Sequence, residues 1–591
     1  MKKKTLYNIF FVLSKTWKYE RPIILIIFLQ VISGVLVPLI SIYLPSTMLN
    51  SIIGITETNV MFMRLIGILL ALAICNCINA YITSIYETHL LNNKMHFLTN
   101  LFRKKMELNY AFIESTTGQN MYQYAMTTLL NDNQGISGML RAIGSLVSNA
   151  CSILLYTGII ASLDFKVMIV LIVTSTIHLV ILRKLLNIQH TKKDFWVDVD
   201  RKINYLFAYI QKGKNNKDIK MFSMQSWLSK VADILINDRL IWIKKLAQYN
   251  LYAAISDMML LAIRDGFAYF YIFRAIFNNE IEISQFVFYF GAITGFSVFV
   301  TGLTSDFAYI SQKSREVDAY RDYLEIDDSN NEGQALFLPC GAPLCVELIN
   351  VSFRPEKEGP YILKNINLRI NKGEKVALVG ENGVGKTTLI KLMCGFYKPT
   401  EGKVLINGID INELSLTCIE SLFATVFQDI HILPMSAAEN IAFDDADKKA
   451  KEIKHCIRIS GLDDVITNIN TPITKMLYKE GIILSGGQEQ KLILARAAYK
   501  ILYKNAAILI LDEPTAALDP IAEKQFYERY NTLASGKTSI FISHRLASTQ
   551  FCDYIVVLDS GKIVEKGTHS QLITNGGKYK ELYDIQSRYY K

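Results

Sequence analysis

Six long apolar runs dominate the first 310 residues, at 23–44, 65–85, 143–163, 167–186, 251–276 and 283–303. Each has about the ~20 residues that a helix needs to cross a bilayer, so the pattern predicts six transmembrane helices. Ahead of the first run, residues 6–19 carry Phe10, Phe11, Leu13 and Trp17 among polar neighbours, the pattern of an amphipathic helix in the membrane interface. The opening MKKK and the run 23–44 do not fit a secretory signal, because the run is too long and lacks a small-residue cleavage site. Beyond residue 345 the pattern changes to short, strand-length apolar runs alternating with helical stretches, as in an α/β domain.

The connections between runs alternate in length. Those at 87–141 and 183–248 are long and poor in proline, so they read as helical extensions of the spans, each with one turn, near 110–119 and 212–222. The N-terminus to Arg21, these two connections and the exit at 309–320 hold 6, 5, 14 and 2 Lys or Arg. The three short connections hold only Arg64, Lys166 and Arg274. The positive-inside rule therefore places both termini, both long connections and the second domain in the cytoplasm, in a multi-pass protein of the plasma (inner) membrane.

Composition agrees with this division. The 591 residues are 51% hydrophobic and 20% charged, with a net charge of +9. Residues 1–320 carry 31 basic against 20 acidic side chains and residues 321–591 carry 32 against 34, so the excess belongs to the membrane half. Topology accounts for it, and no nucleic-acid partner is implied. The nine cysteines form neither a disulfide framework nor a paired CxxC zinc pattern. Residues 1–320 are read as a transmembrane domain, 321–345 as a polar linker and 346–591 as a nucleotide-binding domain.

The chemistry lies in that last domain. The strand-like KVALV at 375–379 leads directly into Gly380, Glu381, Asn382, Gly383, Val384, Gly385, Lys386, Thr387 and Thr388, followed by a helical run. This is G-x4-G-K-[ST] in its required strand–loop–helix setting. Glycines let backbone amides wrap phosphate oxygens, Lys386 reaches the β and γ phosphates, and Thr387 offers a hydroxyl to Mg²⁺. A second apolar run, AILIL at 507–511, delivers Asp512 to the metal and Glu513 to a position from which it polarises water.

With Leu484-Ser485-Gly486-Gly487-Gln488, the chain resembles the ATP-binding cassette (ABC) transporters, and six spans followed by one cassette resemble a half-transporter of the type IV exporter fold. Gln428 in VFQD, Asp519 in ALD and His544 in ISHRL follow the family order. The resemblance implies an all-α six-helix transmembrane domain, then an α/β P-loop NTPase domain with a helical signature subdomain. It implies ATP held by residues 380–388, with Thr387, Gln428 and Asp512 around Mg²⁺. Ser485, Gly486, Gly487 and Gln488 would close over the γ phosphate of a partner subunit, and Asp519 would lie at the same interface. Glu513 would be the general base and His544 a γ-phosphate sensor. It also implies that the Gln428 loop lies beside the turns near 110–119 and 212–222.

The chain departs from the family where a tyrosine usually stacks on adenine: Pro355 fills that slot, leaving Phe353 and Tyr361 as the nearby rings. A second departure precedes the signature, where 477–481 reads LYKEG. Because Glu513 and the signature are both intact, a homodimer with two competent sites is favoured over a heterodimer. The expected activity is ATP-driven export of an amphipathic or hydrophobic peptide, lipid or drug. Import by the same fold and an ATP-gated channel remain open alternatives. No cysteine precedes Cys75, so leader cleavage is not expected of this chain. Polar residues inside the runs are the direct clue to cargo: Asn76, Asn79, His178, Asp257, Arg264, Asp265 and Asp306, with Arg264 the first choice.

Overall fold

The computed structural model describes residues 3–53, 58–191, 194–211, 216–278, 280–326, 338, 341–355, 358–429, 431–475, 477–514, 520–543 and 546–588. They form two compact units, one of residues 1–107 and 116–326, the other of residues 108–115 and 327–591.

The first unit is helical. Its elements are α1 (Lys3–Tyr19), α2 (Pro22–Ile53), α3 (Thr58–Glu107), α5 (Thr116–Leu130), α6 (Gly135–Ala161), α7 (Phe165–Thr191), α8 (Asp194–Gln211), α9 (Asn216–Met221), α10 (Gln225–Phe277) and α11 (Ile283–Leu324), while α4 (Tyr110–Glu114) falls in the second unit. Helices α2, α3, α6, α7, α10 and α11 contain the six apolar runs. Among the described residues, four of them, α2, α3, α6 and α11, are long and apolar enough to cross a membrane. Helix α10 carries Asp257, Arg264 and Asp265 within its run. The spans continue as the helical extensions expected: α3 has 50 residues, α10 has 53 and α11 has 42.

Packing in this unit relies on close backbone approach. A side chain on Gly295 of α11 would meet the Tyr156 ring of α6 at 2.6 Å, and one on Gly291 would meet Ile42 of α2 at 2.9 Å. Small residues four apart let helices approach where lipid offers no hydrophobic drive for association. Around this contact Tyr156, Ile160, Ala292, Ile293 and Phe296 form a fully enclosed core. Helix α1 inverts the usual amphipathic arrangement. It buries Thr5, Asn8, Val12 and Thr16 and exposes Leu6, Phe10 and Trp17, with Asn8 donating to the Ser314 carbonyl (2.8 Å) and to Asp318 (2.8 Å).

The second unit has two sheets. An antiparallel one, in the order β2-β1-β4-β5, comprises β1 (Val346–Phe353), β2 (Leu363–Ile370), β4 (Glu401–Ile406) and β5 (Ile409–Asp410). The other, in the order β10-β9-β3-β8-β7-β6, comprises β3 (Lys375–Val379), β6 (Phe423–Val426), β7 (Ile508–Asp512), β8 (Thr538–Ile542), β9 (Tyr554–Asp559) and β10 (Lys562–Gly567). It is parallel except at the β9–β10 hairpin. Strands β7 and β8 are buried at every position, which is why they read as continuous apolar runs.

Helix α12 (Lys386–Met393) supplies Leu389, Ile390, Leu392 and Met393 to a core shared with both sheets. Helices α13 (Leu416–Leu422), α14 (Ala437–Ala442), α15 (Ala450–Ser460), α16 (Gly486–Tyr503), α17 (Pro520–Leu533), α18 (His569–Asn575) and α19 (Lys578–Arg588) complete the unit. Of these, α14, α15 and α16 pack together through a separate core that includes Ile441, Ile453, Ile457 and Leu492, and they form the helical subdomain.

Candidate nucleotide site

Register aligns the chemistry along one edge. Leu378 of β3 and Asp512 of β7 both lie opposite Ile542 of β8, so the loops leaving these strands emerge together at the carboxyl end of the sheet. Ligands of open α/β sheets bind at that edge.

The loop after β3 turns through positive φ at Gly380 (157°), Gly383 (82°) and Gly385 (101°), and Gly385 caps α12. A Cβ on Gly385 would meet Leu363 at 2.8 Å, so packing as well as backbone geometry requires glycine there. Lys386 is buried, and its ammonium donates to the carbonyls of Gly380 (2.8 Å) and Glu381 (2.9 Å), bending back over the loop. Burial lowers its pKa, against the opposing pull of Glu513 and Asp512. The Glu381 carboxylate turns away to Lys578, 3.1 Å distant, so this residue faces the loop through its backbone alone.

Asp512 is completely buried, and neither carboxylate oxygen has a hydrogen-bond partner. Burial pushes its pKa up to about 6, although the neighbouring Thr387 hydroxyl and the Lys386 charge pull it down. A buried carboxylate without a donor, beside a hydroxyl, is the ligand chemistry a hard divalent cation takes, so these residues fit Mg²⁺. Glu513 follows in the left-handed region (φ 50°), with its amide donating to the Ile542 carbonyl at 3.1 Å. Such a conformation is uncommon for a non-glycine residue and costs about 1–3 kcal/mol, the strain typical of functional positions. Gln428 Nε2 donates to Glu513 Oε2 at 3.0 Å, which brings two of the sequence-predicted residues together.

The signature forms the start of α16. Ser485 is its N-cap: the hydroxyl accepts from the Gln488 amide (3.4 Å) and the Gln488 side chain accepts from the Ser485 amide (2.9 Å). This reciprocal box closes within one turn and leaves Ser485 and Gly486 exposed at the positive end of an 18-residue helix. Asp519 and His544 lie outside the described residues.

Of the two rings near Pro355, Phe353 is already engaged. It is 7% exposed and stacks on Tyr397, with centroids 5.0 Å apart and planes 9° apart. Tyr361 is half-buried; its hydroxyl donates to Glu401 at 2.8 Å and the Arg354 guanidinium lies 5.1 Å from its centroid.

The resemblance implied that the turn near 110–119 lies beside the Gln428 loop, but the side chains that anchor α4 were not read from the sequence. This short helix, capped by Asn109, stacks Tyr110 on Phe396 at 4.8 Å. Its Glu114 receives the ammonium of Lys391 at 2.9 Å and the hydroxyl of Tyr397. Lys391 belongs to α12, the helix that Lys386 opens. Phe396 in turn packs on Phe427 at 5.9 Å, next to Gln428. Of the second expected turn, 212–215 lie outside the described residues and Asn216–Met221 forms α9.

The ABC transporter family profile matches residues 363–516. The chain is 28% identical to the subtilin transport ATP-binding protein of Bacillus subtilis, over 99% of this chain and 96% of that one. It is 35% identical to an ATP-dependent lipid A-core flippase of Chromohalobacter salexigens over 44% of each chain, and 38% identical to that of Alkalilimnicola ehrlichii over 41% and 40%. A bacterial Atm1-family ABC exporter with ATP bound has the same fold, with a TM-score of 0.78, 20% identity and coverage of 96% of this chain and 98% of that one.

Proposed function

We propose that the chain works as an ABC half-transporter of the exporter type, an ATPase coupled to transport across a membrane, and that its residues divide the work as follows. The reading is carried by one path of contacts. Tyr110 of α4 stacks on Phe396, Phe396 packs on Phe427, and the adjacent Gln428 donates to the Glu513 carboxylate. The hydrolytic carboxylate is thereby linked to a segment that the chain joins directly to α3 and α5.

ATP is bound by 380–388, with backbone amides and Lys386 on its phosphates. Thr387, Gln428 and Asp512 would hold a magnesium ion, which would supply positive charge to offset that of the phosphates. Glu513 takes the proton of the attacking water, and Gln428 keeps its carboxylate oriented. His544 contacts the γ phosphate. Ser485 and the amides of Gly486, Gly487 and Gln488 present a helix N-terminus to the ATP held by a second copy, with Asp519 at the same interface. Two intact sites make a homodimer the working form. Closure on ATP draws α4 with the P-loop helix and biases the membrane helices toward the outward-facing state.

The Lys and Arg distribution supports a cytoplasmic cassette and cytoplasmic termini. Relatives named for subtilin transport and lipid A-core flipping support an amphipathic cargo, whether peptide, lipid or drug.

Glu513→Gln tests the assignment of the base. In protein reconstituted into nanodiscs it should retain ATP and lose steady hydrolysis by about 100-fold or more, within the range general bases contribute. Phosphate release at the wild-type rate would rule the assignment out.

A further inference from the structure

Within the helical unit, α7, α10 and α11 line a cavity of about 190 Å³ that is open on one side. Leu260, Ile181, Ala253 and Ala254 make its apolar walls, and His178, Asp257, Thr301, Thr304 and Ser305 its polar ones. An apolar cavity of 150 Å³ accommodates benzene, so this one has room for a chain of four or five carbons with a small head group.

The polar groups share one property. Each hydroxyl gives its proton to its own helix: Thr301 to the Ser297 carbonyl (3.1 Å), Thr304 to Thr301 (2.8 Å) and Ser305 to Gly302 (2.8 Å). What remains on each oxygen is lone pairs, because a hydroxyl has a single donor. Asp257 pairs with His178 Nδ1 through one carboxylate oxygen and keeps 34% of its side chain exposed. The nearby cation Arg264 does not line the cavity. It is 4% exposed, and its Nε donates to Asp265 at 3.1 Å, while Asp265 also accepts from Ser297 at 2.8 Å.

We propose that this cavity is a cargo subsite for an organic ammonium group, an amine head on a methylene stem. The inference rests on the exporter reading of the preceding section. An ammonium carries three donors and no acceptor, which complements a carboxylate and three hydroxyl oxygens whose own protons are committed. The apolar walls receive the stem. The assignment moves the cargo contact from Arg264, the first choice on sequence, to Asp257. A carboxylate inside the membrane region is costly and reads first as a functional group.

The probe is dansylcadaverine, a primary amine on a five-carbon stem, compared with its neutral N-acetyl derivative. Binding is read by fluorescence anisotropy to nucleotide-free protein in phosphatidylcholine nanodiscs, after subtraction of empty discs. In the wild type the amine should bind at least about tenfold more tightly than the amide, the worth of one charge-assisted hydrogen bond. Asp257→Asn, which keeps the shape, should bring that ratio close to one, and Thr301→Val should reduce it several-fold. Because the ratio is taken within each protein, loss of folded material cancels, and Thr301→Val carries the test should Asp257→Asn fail to fold. A wild-type ratio near one, or variants that keep the wild-type ratio, would overturn the proposal. The assay needs no ATP, so it can fail while Glu513-dependent hydrolysis persists, and the reverse result would count against the exporter reading alone.

Discussion

Pro355 cannot stack on a nucleotide base, and the structure removes one of the two rings near it. Phe353 lies in the core with Tyr397 over its face, which leaves Tyr361 as the aromatic surface beside the loop. Tyr361→Ala should therefore raise the KM for ATP about 5- to 100-fold with kcat little changed, since base–aromatic stacking is worth about 1–3 kcal/mol. Phe353→Ala should instead lower the melting temperature, through a cavity costing about 3–5 kcal/mol. Steady-state kinetics and thermal unfolding separate the two. The P-loop glycines, Lys386 and the signature were legible in sequence because phosphate chemistry and helix capping dictate residue types at fixed spacings. The commitment of Phe353 was not, because its partner sits 44 positions away on a different element.

At the scale of elements, the six apolar runs and the central strands could be read directly, since burial on all sides leaves no choice of residue type. The ion pair that docks α4 was opaque for the opposite reason: Glu114 and Lys391 are 277 residues apart and each alone looks like solvated surface charge. Their pairing is strengthened by a shared neighbour. Burial alone would raise the Glu114 carboxyl, but hydrogen bonds from Tyr397 and Lys391 outweigh it and hold its pKa below the usual 4.5. Stabilisation from this contact is thus present above pH 4.5 and fades as pH falls through the lowered value. Charge reversal checks the link: Glu114→Lys and Lys391→Glu should each lower cargo-stimulated ATP hydrolysis, and the double reversal should restore part of it. The expected coupling is modest, about 0.5–1 kcal/mol, because the pair is partly exposed. A double reversal no better than the singles would show that the pair does not transmit.

For the whole molecule, an exposed signature whose hydrogen bonds close on themselves leaves its helix terminus available to another chain. Co-reconstituting Lys386→Ala with Ser485→Arg tests this, because each variant alone lacks a necessary half of both sites. Random pairing in a two-fold dimer makes half the dimers mixed, each with one complete site, so activity should return to about a quarter of wild type. No recovery would mean that the signature does not complete a neighbour's site. A last consequence belongs to α3, whose 50 residues contain no proline and no glycine beyond Gly67. Such a rod is about 75 Å long, and tilting it by about 5° carries its end through about 6 Å. It behaves as a lever, so a displacement of a few ångströms near Glu107 amounts to only a few degrees of lean, and the swing between two states can be completed with every hydrogen bond of the helix intact.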